Sequence, residues 1–425
     1  MDMKNREKKR NIRRMKACLF AAAIPLGLMG CGKMDGNRTE SGSVENKVGS
    51  MEDFCLDTTD FSIRLLQESV GAENRNVMVS PFSVLTALSM TANGAVGETQ
   101  EQMLAVLAPG QDMESLNANW RSFYDSLVNT EETGLQLANS IWFRDEENWI
   151  QVEEDFLQKN ASVYQADIYK AAFDENTLKD INTWVSKETE GRIENILNEV
   201  PKDAVMYLIN ALAFDAEWKD VYEENQIRDG EFFVSDEETR NVSFMYGEEE
   251  WYLQDENAIG FVKPYKEGYS FVALLPKEEI SVQEYVKTLN GEKFLALLSD
   301  RKDATVYTSI PKFKAEYEVE LKDILTGLGM TDAFDAEKAD FSGIGTSDEG
   351  NLVITRVLHK TYIAVDEKGT EAGAATVVEM ICETAVMEEE EVYRVYLNRP
   401  FVYAIVENET NVPLFIGTVD SITEQ

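Results

Sequence analysis

Asn76-Val77-Met78-Val79-Ser80-Pro81-Phe82-Ser83 changes character at its midpoint. Ser80 carries the short hydroxyl favoured at a helix N-cap, and Pro81 suits the first helical position, where no amide hydrogen is needed. An apolar run from Val84 to Met90 follows, so the segment predicts a helix opening at Ser80-Pro81. Asp60-Phe61-Ser62 leads in the same way into Ile63, Leu65, Leu66 and Val70. Leu178, Ile181, Trp184 and Val185 have helical spacing ended by Gly191. Leu321, Ile324, Leu325 and Leu328 repeat it, with Gly329 placed as the left-handed C-terminal residue. Strand-like runs are Met206–Phe214, Ser270–Leu275, Thr305–Ile310, Leu352–Val365, Val392–Leu397, Phe401–Val406 and Leu414–Val419. Helices dominate the first half and strands the second. That segregation predicts an α+β fold rather than a parallel βαβ repeat.

The N-terminus is of a different kind. Residues 1–16 hold eight Lys or Arg against Asp2 and Glu7, and residues 17–30 are then apolar or small throughout. This is the pattern of a signal peptide, too short for a spanning helix of about 20 residues. It ends Leu28-Met29-Gly30-Cys31, which resembles the lipobox of bacterial lipoproteins, with Cys31 as the lipidated residue. A plain secretory signal with an incidental cysteine is the other reading. Residues 31–50 are polar and Gly/Ser-rich after the cysteine and read as a flexible tether. Residues 51–425 show no internal linker and no repeat at a fixed period, so they read as one large domain.

Removing residues 1–30 takes away eight positive and two negative charges, so the net charge falls from -38 to -44. Such a field repels nucleic acid and anionic headgroups, leaving the lipid as the membrane contact. Only Cys55 and Cys382 stay as possible thiols, so the core must hold the fold without a disulfide framework.

Catalytic chemistry is hard to assemble from this inventory. The chain has one histidine, His359, within a strand-like run. An H-E-x-x-H zinc site is impossible, and a Ser-His-Asp triad would have to use that residue. There is no G-x-S-x-G elbow, phosphate-cradling Gly loop or C-x-x-C pair. The expectation is a protein that is not an enzyme and uses no metal or cofactor.

Six segments in order carry a resemblance: Asn76–Ser83, Leu208–Phe214 followed by Trp218, Pro311–Lys314, Leu328-Gly329-Met330, Ala333-Phe334 and Asn398–Phe401, and a separate stretch from Asp366 to Thr376 is hinge-like. Together they resemble the serpins, serine protease inhibitors, over about residues 53–420. The resemblance implies helices around a large central β-sheet, smaller sheets, and an exposed reactive-centre loop. It also implies that Asn76, Ser80, Ser83, Asn210 and His359 form a buried hydrogen-bond cluster where that sheet opens, with Trp218 at the top of the opening. His359 is followed by Lys360-Thr361 where the family usually shows Lys-Ala.

The resemblance makes Glu367, Gly369, Thr370, Ala372, Ala374, Ala375 and Thr376 the hinge of the loop. Their side chains support the role independently. A strand hides alternate residues, and Thr370, Ala372, Ala374, Thr376, Val378 and Met380 carry no charge, whereas Glu371 and Glu379 share the other phase. Thr370 is then the first inward residue on insertion and is expected nearer the surface before it. The family's loop length puts the cut at Glu383–Thr384, suggesting a glutamate-preferring serine protease. One residue shorter, it is Cys382–Glu383, suiting an elastase-like pocket. The implied protein is a monomeric, extracytoplasmic suicide-substrate inhibitor. A non-inhibitory binding protein on the same fold, or a cysteine-protease inhibitor, are the alternatives.

Overall fold

The computed structural model describes residues 49–71, 75–128, 134–146, 149–266, 268–370 and 391–422, with a two-residue strand at Arg13–Arg14. Cys31, Ala372, Ala374, Ala375, Thr376, Cys382, Glu383 and Thr384 lie outside the described residues.

The architecture is α+β, as expected, and its organising feature is a divided sheet. One half runs Asp167–Ala171, Leu135–Arg144, Met206–Phe214, with Arg13–Arg14 at its outer edge. The other half pairs Phe313–Glu320 with Leu358–Val365. Among the described residues the inner strands, Met206–Phe214 and Leu358–Val365, share no ladder, and a short bridge alone joins the halves at one end. There Gly369–Thr370 pairs with Val365 on one side and with Ala216–Glu217, just beyond Phe214, on the other. The expected strand from Leu352 starts only at Leu358, since residues 351–357 run beside the gap without a ladder partner.

Period-two alternation builds two cores from one strand. Tyr207, Ile209 and Ala211 face a cluster with Ile181, Trp184 and Val185 of helix Glu175–Glu188. Leu208, Leu212 and Phe214 face the main core and helix Pro81–Ala92. Helix Glu175–Glu188 is closed at its start by Asp174, which accepts from the amides of Asn176 and Thr177. Gly191 and Gly329 take the positive φ that their positions as chain breakers require.

A second sheet of nine strands forms the back of the molecule. Its order is Val392–Tyr396, Lys302–Pro311, Thr239–Gln254, Ala258–Pro264, Tyr269–Pro276, Phe401–Glu407, Pro413–Val419 and Val77–Val79, with Ile227–Phe233 also paired to Thr239–Gln254. Phe401–Glu407 and Pro413–Val419 are buried at every residue, which is why their sequences are apolar but for Glu407 and Thr418. The first helix runs Met51–Ser69, beginning well before the expected Asp60, because Ser50 and Asp53 form a reciprocal capping box. Among the described residues no helix is long and apolar enough to cross a membrane.

Candidate functional site

The gap between the two sheet halves opens onto a cavity of ≈ 230 Å³, lined among others by Ser80, Ser83, Leu88, Asn210, Val353 and His359. Ser80 sits at the N-cap of helix Pro81–Ala92, but its hydroxyl does not cap it. It donates to the carbonyl of Leu414 (2.9 Å), while its amide donates to His359 Nε2 (2.9 Å). The helix start is thereby tied to both sheets. An accepting Nε2 fixes the imidazole as neutral, and burial pushes its pKa down to about 4.

The expected five-residue cluster does not form as one network. Ser80 and His359 meet, and Ser83 lines the cavity beside them. Asn210 instead donates to Asn139 Oδ1 on the adjacent strand (2.8 Å), and Asn139 donates to the carbonyl of Tyr164. The Asn210 Oδ1 is buried without a hydrogen-bond partner among the described residues. Asn76 works elsewhere: it accepts from the amides of Asp420 and Ser421 and donates to the Ser421 carbonyl, fastening the chain after the last strand. The distances separate because Asn76 precedes a strand of the back sheet whereas Asn210 belongs to the divided one.

At the closed end of the gap, one short segment grips the turn before Gly369. Three successive carbonyls each accept one bond: Asp366 from Trp218 Nε1 (2.8 Å), Glu367 from the Tyr222 amide (2.9 Å) and Lys368 from the Trp218 amide (2.8 Å). Trp218 is fully buried and stacks on Tyr265, ring centroids 4.4 Å apart. The turn itself is an Asx turn, Asp366 accepting from the amides of Lys368 and Gly369. A Cβ at Gly369 would lie 2.1 Å from the Ala216 carbonyl oxygen, so the pairing needs glycine there. Glu367 pairs with Lys312 (2.6 Å); burial raises its carboxyl, but the Lys312 ammonium and hydrogen bonding hold it below the usual range.

Thr370 corrects an expectation. It is not near the surface but 2 % exposed, paired in the sheet, with its hydroxyl 2.6 Å from that of Tyr265. Thr370 lies between Ala216 and Val365 and pairs with both, so the first inward position is occupied in this state.

Sequence reasoning missed Tyr265, Lys312 and Asn139. Lys312 lies inside the quoted Pro311–Lys314 segment, so its segment was visible though its partner was not. Tyr265 and Asn139 gave no signal, since each acts across more than 70 residues of chain.

Comparison with known proteins agrees with this geometry. Residues 57–422 match the family described as "Serpin (serine protease inhibitor)". Human serpin B8 is 33% identical over 387 residues, covering 87% of this chain and 100% of its own. The leukocyte elastase inhibitor of Xenopus tropicalis is 32% identical over 389 residues, with 87% and 100% covered. The structure of a thermophilic serpin, tengpin, in its native state superposes with a TM-score of 0.81 at 47% identity, covering 92% of this chain and 98% of that one. The divided sheet, the gripped turn and these similarities have one reading: the chain belongs to the serpins, a family of protease inhibitors rather than enzymes.

Proposed function

We propose that this chain is an irreversible suicide-substrate inhibitor of a serine endopeptidase. The observation that carries this is the open gap in the sheet with Gly369–Thr370 seated at its top. Continuing both ladders in the same register would set Ala372 between Phe214 and Ile363, Ala374 between Leu212 and Thr361, and Thr376 between Asn210 and His359. The uncharged phase would then face the cavity, and the Thr376 hydroxyl would come within reach of Asn210 Oδ1, which has no partner among the described residues. The opposite phase, with Glu371 and Glu379, faces outward.

The chemistry follows. The protease serine adds to the carbonyl of the residue before the cut and expels the next residue's amine, leaving an ester between enzyme and inhibitor. With its chain now severed, the segment after Thr370 enters the gap, gaining ladder bonds of about 1 kcal/mol each and burying its small side chains. Insertion drags the ester-linked protease along and deforms its active site before water cleaves the ester. The uninserted fold is then a kinetically trapped state. The family's loop length favours Glu383–Thr384 and a glutamate-preferring protease. Cys382–Glu383 is the second register, and similarity to an elastase inhibitor agrees with a small residue there. Glu388–Glu391 follow either bond and would steer a basic protease. The protein acts as a monomer, held outside the cell by the lipid on Cys31.

Incubation of the mature chain with a panel of serine proteases tests this. The expected products are SDS-stable complexes and a released C-terminal peptide beginning at Thr384, with a sharply raised unfolding temperature after cleavage. Cleavage without complexes or stabilisation would leave the non-inhibitory binding reading.

A further inference from the structure

The segment that grips the 366–368 turn is itself held from behind by a buried ion pair. Lys263, 3% exposed at its side chain, places Nζ 2.8 Å from Glu249 Oε1, itself 6% exposed. The same ammonium donates to the carbonyl of Asp220 (3.2 Å) and lies over the rings of Tyr222 (4.4 Å to the centroid) and Trp218 (5.3 Å). Asp220 is the midpoint of the gripping segment, and Trp218 and Tyr222 are the two residues whose N–H groups hold the turn. One cation therefore touches both residues whose N–H groups hold the 366–368 carbonyls.

A buried pair of this kind is a poor source of stability, because desolvation offsets its attraction and apolar residues of similar volume often do as well. Its physical use is to fix a geometry. We propose that Lys263 and Glu249 are positioning residues for loop insertion: the pair locks segment 218–222 onto the 366–368 carbonyls, and neutralising Glu249 releases that grip. This deepens the inhibitory reading and rests on it for the consequence, though not for the lock itself.

The lock responds to acid. Burial raises the Glu249 carboxyl against the pull of Lys263, and the charges of Asp220 and Glu250 push in the same direction as burial. The neighbouring pairs are Glu367–Lys312 and Glu217–Lys266. Glu367 is held below the usual range, and His359 titrates only near about 4. On acidification Glu249 therefore takes up its proton before Glu367 does, leaving Lys263 without its counter-charge.

Hydrogen exchange on the full mature chain reads the lock without requiring inhibition. In Glu249→Gln, the amides of Trp218 and Tyr222 should lose about tenfold in protection at neutral pH. In the parent the same loss should appear on acidification, at a pH above that at which Glu367 takes up its proton, after correction for intrinsic exchange, and Glu249→Gln should show no further change. The double variant Glu249→Leu with Lys263→Met avoids an orphaned charge, so it should fold with the parent's melting temperature yet exchange pH-independently. Unchanged protection in both variants overturns the lock. With protection lost as expected, the ratio of SDS-stable complex to cleaved product should shift in Glu249→Gln; an unchanged ratio overturns the link to insertion. If the parent forms no complexes with any protease, the inhibitory function fails, while the exchange data still decide whether the lock exists.

Discussion

The hydroxyls of Thr370 and Tyr265 lie 2.6 Å apart in a fully buried bridge between the base of the loop and the back of the molecule. Each is the other's partner. Removing one, as in Thr370→Val or Tyr265→Phe, should strand the remaining hydroxyl and cost about 1–3 kcal/mol in the intact protein. The double variant should cost less than the two together, with a coupling on the order of 1 kcal/mol in urea unfolding. Strict additivity would mean that the bridge does not form.

Because Thr370 is already inside, Thr370→Arg should injure the intact fold as well as insertion. A guanidinium buried beside the Tyr265 hydroxyl would give up its water for a neutral partner, and the cost is several kcal/mol. Glu371→Arg, on the other phase, should change the melting temperature far less. Equal melting temperatures for Thr370→Arg and the parent would contradict the seating of this residue.

His359 should give the protein an acid-side instability. Its folded pKa, about 4, lies below the unfolded value of 6.5. Between these values the unfolded chain binds a proton that the folded one refuses. Stability is therefore intact above pH 6.5 and is lost as pH falls towards about 4, by on the order of 3 kcal/mol over the window. His359→Gln should flatten this slope; a slope of the same size in the variant would assign it to another group.

Glu383→Arg should redirect trapping towards trypsin-like proteases, since the target's primary pocket reads the residue before the cut. An unchanged target range would shift the register to Cys382–Glu383.

Cys31→Ser should release the protein into the medium or leave an unprocessed precursor. Equal retention of parent and variant in the detergent phase would remove the lipid anchor from this account.

The legible part of the molecule was the part whose chemistry is local. The Met206–Phe214 strand has the bounds its apolar run predicts, and helix Pro81–Ala92 opens where proline forces φ and removes an amide. The charge-free phase of 370–380 is visible in the letters alone, because period two is a property of any strand. Less local features were read incompletely. The Leu352–Val365 run looks like one strand, yet only Leu358–Val365 is paired, since a ladder needs a neighbour and the gap supplies none.

The sequence alone determined the α+β class and the family's motifs in order, which depend on residue type and spacing. Only the tertiary structure decided which polar groups meet. Ser80 finds His359 while Asn210 turns to Asn139 and Asn76 to the chain end. It also decided that Thr370 is seated, and that Lys263 and Glu249, unremarkable in a chain of 40 basic and 78 acidic residues, form a buried pair behind the loop's base. Hydrogen bonds and ion pairs act over about 3 Å between residues far apart in the chain, and which of them form is set by where the strands bring the side chains.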